Sequence, residues 1–328
     1  MASLDNLEMF NRASFLTRLV ASSVKVSETA GGIIKNVMAT GDLKIINKCE
    51  NNSESYDPQT EADRRAQYCI VQSLQNRFKN VKIIGEEDET SACPEVELGF
   101  SEDVLKTEKL LSSELQSIKE DDVVVWVDPL DGTSEVALAV KNKNLALLEQ
   151  VTVLIGIAHK GRPVAGIIHQ PYYSEGGRTI WAINGCGVHG VTPVKSNSTK
   201  TVVTTRSHLS ESVSSALEAL KSKSLADNIE KVGGAGYKVL KVLEGSAAYV
   251  FASAGCKKWD TCAAEAVLEA AGGSLTDISG RSIRYDSNVQ LNNTGGVLAT
   301  ASWVEHKDYI DTIPQEIKNQ LPEISSKK

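Results

Sequence analysis

The chain has 328 residues, a formal net charge of -7 and 41% hydrophobic residues, the composition of an ordinary globular protein. That length predicts one large domain or two of ordinary size, with enough core to fold without disulfides or a structural metal. The acidic balance argues against a nucleic-acid-binding surface, although it leaves room for a local basic pocket that holds a small anion.

The cysteines and the N-terminal sequence predict the cellular compartment of the protein. The six cysteines occur at unrelated spacings, with no C-x-x-C pair and no clustered histidines. This pattern favours reduced thiols over a disulfide framework or a zinc site. The first eleven residues lack the features of a signal peptide, and no run approaches the ~18 apolar residues of a membrane span. We therefore expect a soluble, cytoplasmic protein.

The beginning of the chain predicts helices followed by a strand. Apolar residues at helical spacing over residues 7–38 indicate two helices, or one with a break at Gly31 and Gly32. A further helix is expected after Asp63. The short apolar run at residues 81–84 then predicts a strand.

The middle of the chain predicts an antiparallel sheet. Residues 89–122 are acidic and polar, with a modest helical pattern over 104–118, and we expect a solvated excursion. The β-branched run at residues 123–127 is typical of a strand buried on both faces. Further strands separated by Gly, Pro and Lys turns are predicted at residues 151–159, 163–170 and 179–184. Their succession indicates a meander.

After a polar stretch at residues 195–200, strands and helices alternate, which predicts an α/β unit. The predicted elements are a strand at 201–205, a helix at 210–221, a glycine loop, a helix at 237–243, a strand at 248–251 and a helix at 261–271. We therefore predict two domains, an α+β domain at residues 1–198 and an α/β domain at residues 199–328.

The most informative segment is W-V-D-P-L-D-G-T, residues 126–133. A hydrophobic strand ends at Asp128, which the following proline biases toward an extended backbone. Asp131 comes three residues later, and the Leu130 carbonyl lies between the two carboxylates. These hard oxygen ligands suit Mg²⁺, and a helix beginning near Thr133 would offer N–H groups to a phosphate. The alternative is that Asp131 only caps that helix.

Three other acidic segments are placed in a similar way, and each has a plainer interpretation. G-E-E-D at residues 85–88 follows a predicted strand, where an acidic surface turn is an alternative. D-P-Q-T-E-A-D at residues 57–63 and W-D-T at residues 259–261 lie at predicted helix starts, where Asp is a natural cap. None of these segments decides between the two interpretations by itself.

Together, the segments resemble the lithium-sensitive, magnesium-dependent phosphomonoesterases of the inositol monophosphatase superfamily, and most closely its 3'(2'),5'-bisphosphate nucleotidases. The motifs that carry the resemblance occur in family order, as GEED (85–88), WVDPLDGT (126–133), VTVLIGIA (151–158), QPYY (170–173), TTRSH (204–208), VGGAG (232–236) and GCKKWDTCAAE (255–265). The resemblance implies a layered αβαβα sandwich of the inositol monophosphatase and fructose-1,6-bisphosphatase type.

The resemblance also implies two or three Mg²⁺ ions per site. By analogy, one ion is held by Glu86, Asp128 and the Leu130 carbonyl, and a second by Asp128, Asp131 and Asp260. A third and weaker site again uses Glu86, with waters. Most of these ligands fall in the first predicted domain, and Asp260 falls in the second.

The nucleophilic water would be positioned by Thr133 and Asp63. Asp63 is preferred over Asp57 because its place before the helix matches the family's spacing to Glu86. An electrostatic argument supports metal chemistry independently of the resemblance: several carboxylates that converge in one pocket need cations to compensate them. Oxygen-only ligands select Mg²⁺ or Mn²⁺ over zinc, and two such ions can clamp an in-line phosphoryl displacement.

The second domain would supply the nucleotide contacts, by analogy with the T-T-R-S-H and G-G-A-G segments. The predicted contacts are Thr205, His208, Gly234 and Lys238. The alternatives are a plain left-handed turn at the glycines and a solvated lysine. Arg206, Lys257 and Lys258 add positive charge that could face a second phosphate.

The chain departs from the family pattern just after D-G-T. Bisphosphate nucleotidases usually carry a lysine and then an aromatic residue there, whereas this chain has Ser134 and Val136. The stretch up to Val151 is longer and contains K-N-K-N at residues 141–144, and Tyr237 replaces a smaller polar residue. These changes concern the substrate range rather than the metal chemistry.

The function implied is hydrolysis, by metal-activated water, of the 3'-phosphate of adenosine 3',5'-bisphosphate, and also of 3'-phosphoadenylyl sulfate. The products would be AMP, or adenylyl sulfate, and phosphate. The alternatives are an inositol polyphosphate 1-phosphatase, an enzyme that accepts both substrates, and a non-catalytic nucleotide sensor. The expected partner is a small phosphate ester, with neither nucleic acid nor membrane.

Overall fold

The structure, a computed structural model, describes residues 4–41, 43–44, 46–47, 58–87 and 95–322. The helices in these ranges are α1 (Leu4–Arg12), α2 (Phe15–Thr40), α3 (Glu61–Arg77), α4 (Glu102–Leu105), α5 (Ser113–Gln116), α6 (Thr133–Asn142), α7 (Glu211–Ser222), α8 (Ala235–Leu243), α9 (Lys258–Ala270), α10 (His306–Thr312) and α11 (Gln315–Gln320). The strands are β1 (Ile46–Asn47), β2 (Pro58–Gln59), β3 (Lys82–Gly85), β4 (Val123–Asp131), β5 (Thr152–His159), β6 (Arg162–Gln170), β7 (Arg178–Ile183), β8 (Gly187–His189), β9 (Thr201–Thr205), β10 (Asn228–Val232), β11 (Ala248–Phe251), β12 (Ser274–Thr276) and β13 (Val297–Thr300).

Two large sheets and three layers of helices build the molecule. The first sheet has the order β3-β4-β5-β6-β7-β8, parallel between β3 and β4 and antiparallel from there on. The second has the order β10-β9-β11-β13-β12, in which β9, β10 and β11 are parallel. Helices α2 and α3 pack on one face of the first sheet, α8 and α9 lie between the sheets, and α7 and α10 cover the second. The predicted αβαβα sandwich is confirmed.

Helix α9 approaches the first sheet closely because two strands carry glycine beneath it. A Cβ atom on Gly166 would lie 2.4 Å from the Ala263 carbonyl oxygen, and one on Gly156 would lie 2.6 Å from the Ala263 nitrogen. A side chain at either position would displace the helix. These two glycines therefore fix the distance between α9, which carries Asp260, and the sheet that carries Asp128.

The first long helix corrects the predicted break at the glycine pair. Helix α2 continues through Gly31 and Gly32, and the chain breaks earlier, at Ala13 and Ser14. Gly31 has a packing reason instead, because a Cβ atom there would lie 2.3 Å from Nε2 of His169 in β6. A glycine within a helical pattern marked a close contact here, not a helix end.

The segment predicted as a solvated excursion is anchored in the core where the structure describes it, from residue 95 onward. Its buried apolar side chains join the cluster that contains α2, and they are Val104, Leu105, Leu111 and Ile118. The Ser101 N–H also donates to the Ala21 carbonyl at 2.9 Å. The prediction was wrong for these residues because few apolar side chains, widely spaced in short turns, leave no clear periodicity.

The second half of the chain confirms the predicted alternation and adds the strand β10. This strand has the sequence N-I-E-K-V and lies at the edge of the second sheet, with polar residues exposed. Edge strands tolerate charged side chains, which hides them from a hydrophobic pattern. The first sheet ends at residue 189 and the second begins at residue 201, on either side of the predicted domain boundary. The division into domains at 198 stays a prediction.

The predictions on thiols and membrane spans can be compared with the described residues. Cys186, Cys256 and Cys262 are free thiols, while Cys49 and Cys93 lie outside the described ranges. None of the described helices has both the length and the apolar composition needed to cross a membrane.

Candidate active site

A cavity of about 170 Å³ lies where the end of β4 meets the starts of α6, α8 and α9. Its walls bring together every predicted site residue except Asp63, which contacts the cavity wall through Thr133. The predicted residues in the walls are Glu86, Asp128, Leu130, Asp131, Thr133, Thr205, His208, Gly234, Lys238 and Asp260. Residues from five separate parts of the chain thus converge on one space.

An irregularity in β4 turns both aspartates toward this cavity. Residues three apart in a regular strand point to opposite faces of the sheet. The register between β4 and β5 shifts between Asp128 and Asp131, so both side chains line the cavity. The Leu130 N–H donates to Asp128 Oδ1 at 3.0 Å and fixes the turn. Both carboxylates are buried.

Gly132 connects this strand directly to helix α6. Its φ of 102° lies in the left-handed region, where a side chain would be strained. The helix begins at the next residue, as predicted, and places Thr133 above the turn. The Thr133 hydroxyl oxygen lies 3.0 Å from Asp63 Oδ1 and 3.1 Å from the Leu130 carbonyl oxygen. Its one proton can be donated to only one of these acceptors at a time.

Asp63 combines the two interpretations that the sequence offered. It caps α3, because its Oδ2 accepts the Thr60 N–H at 2.8 Å. Its other oxygen, Oδ1, accepts the hydrogen bond from Thr133. Burial raises the pKa of Asp63 to about 6, against the opposing effect of the Thr60 hydrogen bonds. The rival residue Asp57 lies outside the described residues.

Asp260 has the same double role at the start of α9. Its Oδ2 accepts the Lys257 N–H at 2.7 Å, which caps the helix, and the side chain also lines the cavity. Capping and site formation are therefore compatible. A cap places a carboxylate at the helix start, and this helix starts at the cavity.

Asp131 does not cap α6, the alternative that the sequence suggested. Its two oxygens accept the N–H groups of Ala235 and Gly236, each at 2.8 Å, at the start of α8. The Thr152 hydroxyl also donates to Oδ2 at 2.7 Å. One carboxylate therefore joins the end of the first sheet to a helix from the other half of the chain. No local sequence pattern could have shown this contact.

Burial and neighbouring carboxylates raise the pKa values of two of the aspartates, Asp128 and Asp260. Burial, and then the charges of Glu86, Asp131 and Asp260, raise the pKa of Asp128 well above its usual range. Burial, with Asp131 next, raises the pKa of Asp260 to about 6. The described lining of the cavity thus gathers five carboxyl groups and one ammonium group, that of Lys238.

The chemistry of these groups fits a hard divalent cation. The donors are carboxylate oxygens and one backbone carbonyl, which is the ligand set that Mg²⁺ prefers. As they stand, no three acidic, histidine or cysteine side chains among the described residues are arranged around one point closely enough to hold an ion. Ion binding would therefore involve reorientation of carboxylates, three of which, Asp128, Asp131 and Asp260, now accept backbone N–H groups.

The predicted nucleotide contacts line the same cavity. Thr205 Oγ1 accepts the His208 N–H at 3.2 Å, which shapes the turn after β9. The Lys238 ammonium donates to the Gly234 carbonyl at 2.9 Å and lies 5.3 Å from the centre of the Tyr249 ring. Lys238 is 6% exposed, so the alternative of a solvated lysine is wrong. Burial lowers its pKa.

The three additional basic residues do not line the cavity. Arg206 contacts Glu135 and Gln150, the Lys257 ammonium donates to Asn292 at 2.8 Å, and that of Lys258 donates to Asn293 at 2.7 Å. The expectation that they face a second phosphate is wrong for the structure as described. Each is held by neighbouring polar groups that the sequence alone did not connect.

The cavity also contains residues that the sequence did not predict. They are Ser134, Glu135, Ser207, Tyr249, Phe251 and Cys256, besides several backbone segments. Ser134, Glu135 and Ser207 carried a usable signal, because each lies within or beside a predicted motif. Tyr249 and Phe251 come from β11 and look like ordinary core residues in the sequence.

Comparisons with known proteins agree with the fold. The family profile described as "Inositol monophosphatase family" matches residues 16–318. The chain is 43% identical to 3'(2'),5'-bisphosphate nucleotidase 1 of Rattus norvegicus, over 95% of this chain and 99% of the relative. It is 34% identical to the protein of the same name in Dictyostelium discoideum, over 91% and 96%. The crystal structure of the extragenic suppressor protein suhB from Bartonella henselae matches with a TM-score of 0.64 at 17% identity, over 89% and 96%, and bears on the fold alone.

Proposed function

The chain belongs to the inositol monophosphatase family, and from this premise we propose that it hydrolyses the 3'-phosphate of adenosine 3',5'-bisphosphate to give AMP and phosphate. 3'-Phosphoadenylyl sulfate, which carries the same 3'-phosphate, is a second expected substrate. The bisphosphate nucleotidase relatives, matched over nearly their full length, favour this substrate over an inositol phosphate. The reaction is that of a phosphoric monoester hydrolase.

The observation that carries the proposal is the convergence of acidic groups beside a hydroxyl–carboxylate pair. The cavity places Asp128, Asp131 and Asp260 within reach of the Thr133–Asp63 hydrogen bond. A nucleotide sensor would need neither the converging carboxylates nor a pair that can orient water. This arrangement therefore favours catalysis over binding alone.

Members of the family are generally metal-dependent. We propose Mg²⁺, two or three ions per site, with Glu86, Asp128 and the Leu130 carbonyl holding one ion and Asp128, Asp131 and Asp260 holding another. When bound, the metal supplies charge for the phosphate oxygens and lowers the pKa of the attacking water.

The chain's own residues orient the attacking water. When Thr133 donates its proton to Asp63 Oδ1, the hydroxyl oxygen has lone pairs free to accept a hydrogen bond from water. Asp63, which has a pKa of about 6, is ionised at neutral pH and so stays an acceptor. The first turn of α6, which lines the cavity, offers N–H groups to the phosphate.

The cavity residues from the second half of the chain would hold the nucleoside and the 5'-phosphate of the substrate. We assign contacts with the nucleoside and its 5'-phosphate to Thr205, His208, Gly234 and Lys238. The free thiols suit a reducing compartment, and we propose the cytoplasm as the place of action. The proposed partner is a small phosphate ester, with no nucleic acid.

A phosphate-release assay with Mg²⁺ tests the proposal. We expect kcat/KM for adenosine 3',5'-bisphosphate to exceed that for inositol 1,4-bisphosphate, and EDTA to abolish both activities. A preference for the inositol phosphate would replace the proposed substrate with the inositol phosphatase alternative. Tight nucleotide binding without phosphate release would leave only a sensor.

A further inference from the structure

A small set of contacts outside the cavity joins the altered segment after D-G-T to the glycine loop. Gln150, two residues before β5, accepts the Gly233 N–H at 2.7 Å through its Oε1. The same oxygen accepts a hydrogen bond from Arg206 Nη2 at 3.0 Å. Arg206 Nη1 lies 3.5 Å from Glu135 Oε1. We call Gln150, Arg206 and Glu135 the Gln150 network.

The network bears on Gly234, because it holds the chain just before that residue. Gly233 is fixed by Gln150, while Ala235 and Gly236, just after Gly234, are fixed by Asp131. The surroundings are tight, since a Cβ atom on Gly233 would lie 1.8 Å from the Glu135 carboxyl carbon and one on Gly234 would lie 2.7 Å from the Gln150 carbonyl oxygen.

A loop with two consecutive glycines depends on such hydrogen bonds more than other loops do. Glycine has the largest conformational freedom to lose on ordering. If the acceptor for the buried Gly233 N–H were removed, the donor would be left unsatisfied and the loop could move. A ligand that contacts the loop would then have to order it on binding, which weakens affinity.

We propose that Gln150, supported by Arg206, is a positioning residue that holds the Gly233–Gly234 loop for the nucleoside part of the substrate. This inference rests on the proposed function. Neither Gln150 nor Arg206 lines the cavity, so they act through the loop and not by contact with substrate. The network also connects the segment that departs from the family pattern after D-G-T with the glycine loop, because Glu135 and Gln150 lie at the two ends of that segment.

Inhibition by the two products separates positioning from general structural damage. AMP occupies the nucleoside side of the cavity, whereas inorganic phosphate occupies only the acidic side. For Gln150→Leu we expect the inhibition constant of AMP and the KM of adenosine 3',5'-bisphosphate to rise roughly tenfold, the effect of one hydrogen bond. The inhibition constant of phosphate and kcat should stay within about twofold, the scatter expected of uncoupled sites.

Three further variants make the result decisive. Gln150→Glu keeps the acceptor oxygens and should restore AMP affinity, and Gln75→Leu, at an exposed position on α3, controls for the loss of a glutamine. If Gln150→Leu does not fold, Arg206→Met, at a partly exposed position, should reproduce the selective loss of AMP affinity.

Two results would overturn the inference. The first is unchanged AMP inhibition in both Gln150→Leu and Arg206→Met. The second is an equal weakening of AMP and phosphate, which would indicate a merely structural role. A wild-type protein that releases no phosphate from any nucleotide would instead count against the proposed function itself.

Discussion

The two walls of the cavity are built in different ways. The acidic wall comes from consecutive residues at the end of β4 and from helix caps, and short-range hydrogen bonds such as Leu130 to Asp128 shape most of it, while Asp131 is also held by the distant Ala235. The nucleotide wall comes from loops whose positions depend on contacts with distant residues, such as Gly233 with Gln150. We infer that the chemistry tolerates little local change, whereas the substrate range responds to changes far away in the sequence.

The largest effect should follow from changing the acidic wall. Asp128→Asn keeps the size of the side chain but removes a charge and an oxygen ligand, and we expect kcat to fall by at least about 10³-fold. Phosphate release with Mg²⁺ measures this, and circular dichroism checks the fold. Full turnover in a folded variant would show that the acidic wall is not the catalytic one.

The hydroxyl at the junction of the two walls should matter next. Thr133→Ala removes the group that contacts Asp63, and we expect kcat to fall by roughly 10²-fold, the lower end of the range for positioned proton transfer. The KM should change little. Thr133→Ser keeps the hydroxyl and should recover most of the rate. If the Thr133→Ser and Thr133→Ala variants were equally slow, the methyl group of Thr133 and not its hydroxyl would be needed for the rate.

Gly166, the glycine beneath α9, tests the distance between this helix and the first sheet. Gly166→Ala places a methyl group against the Ala263 carbonyl, and we expect the free energy of unfolding to fall by about 1–3 kcal/mol. Because α9 carries Asp260, kcat should also fall while AMP inhibition stays the same. The matched variant Gly32→Ala, where nothing lies within 4 Å of the added Cβ atom, should show neither effect. Equal stability of the two variants would mean that α9 is free to shift.

The smallest effect concerns a buried acid between the two sheets. Glu265 pairs with Arg162 and accepts a hydrogen bond from Tyr285, and burial raises its pKa to about 7. Because the pKa of Glu265 is higher in the folded protein than in the unfolded chain, the folded state binds more protons at pH values between the two. The stability is therefore complete below the unfolded pKa and falls as the pH rises toward 7.

Glu265→Gln should remove this part of the pH dependence. Between pH 4.5 and pH 7.5, we expect the free energy of unfolding to fall by on the order of 2–3 kcal/mol more in the wild type than in the variant. Urea unfolding at several pH values measures the difference, with the exposed Glu114→Gln as control. Parallel curves for the wild type and Glu265→Gln would show that Glu265 is ionised in both states.

The acidic wall was largely predictable because its residues lie in contiguous motifs. The end of a hydrophobic strand, a proline, a glycine and a helix start locate Asp128, Asp131 and Thr133 from the sequence alone. The capping role proposed as the alternative for Asp63 and Asp260 is real, and it coexists with their place at the cavity. A helix cap and a site residue therefore cannot be distinguished by local sequence.

What the sequence could not predict depends on long-range packing. The link from Asp131 to α8 and that from Gln150 to Gly233 join residues more than eighty positions apart. Gly31 was taken for a helix break because its neighbour, His169, is brought close only by the folded sheet. Polar edge strands such as β10 lack the hydrophobic alternation that reveals buried strands.

Thermal unfolding with and without Mg²⁺ tests the central electrostatic claim most directly. The account predicts that Mg²⁺ raises the Tm of the wild type, because ions bound among converging carboxylates stabilise the folded state. It also predicts that Asp128→Asn in EDTA is at least as stable as the wild type, since one repelling charge is gone, and that Mg²⁺ stabilises this variant less. A variant less stable than the wild type in EDTA, with no effect of Mg²⁺ on either protein, would contradict the account.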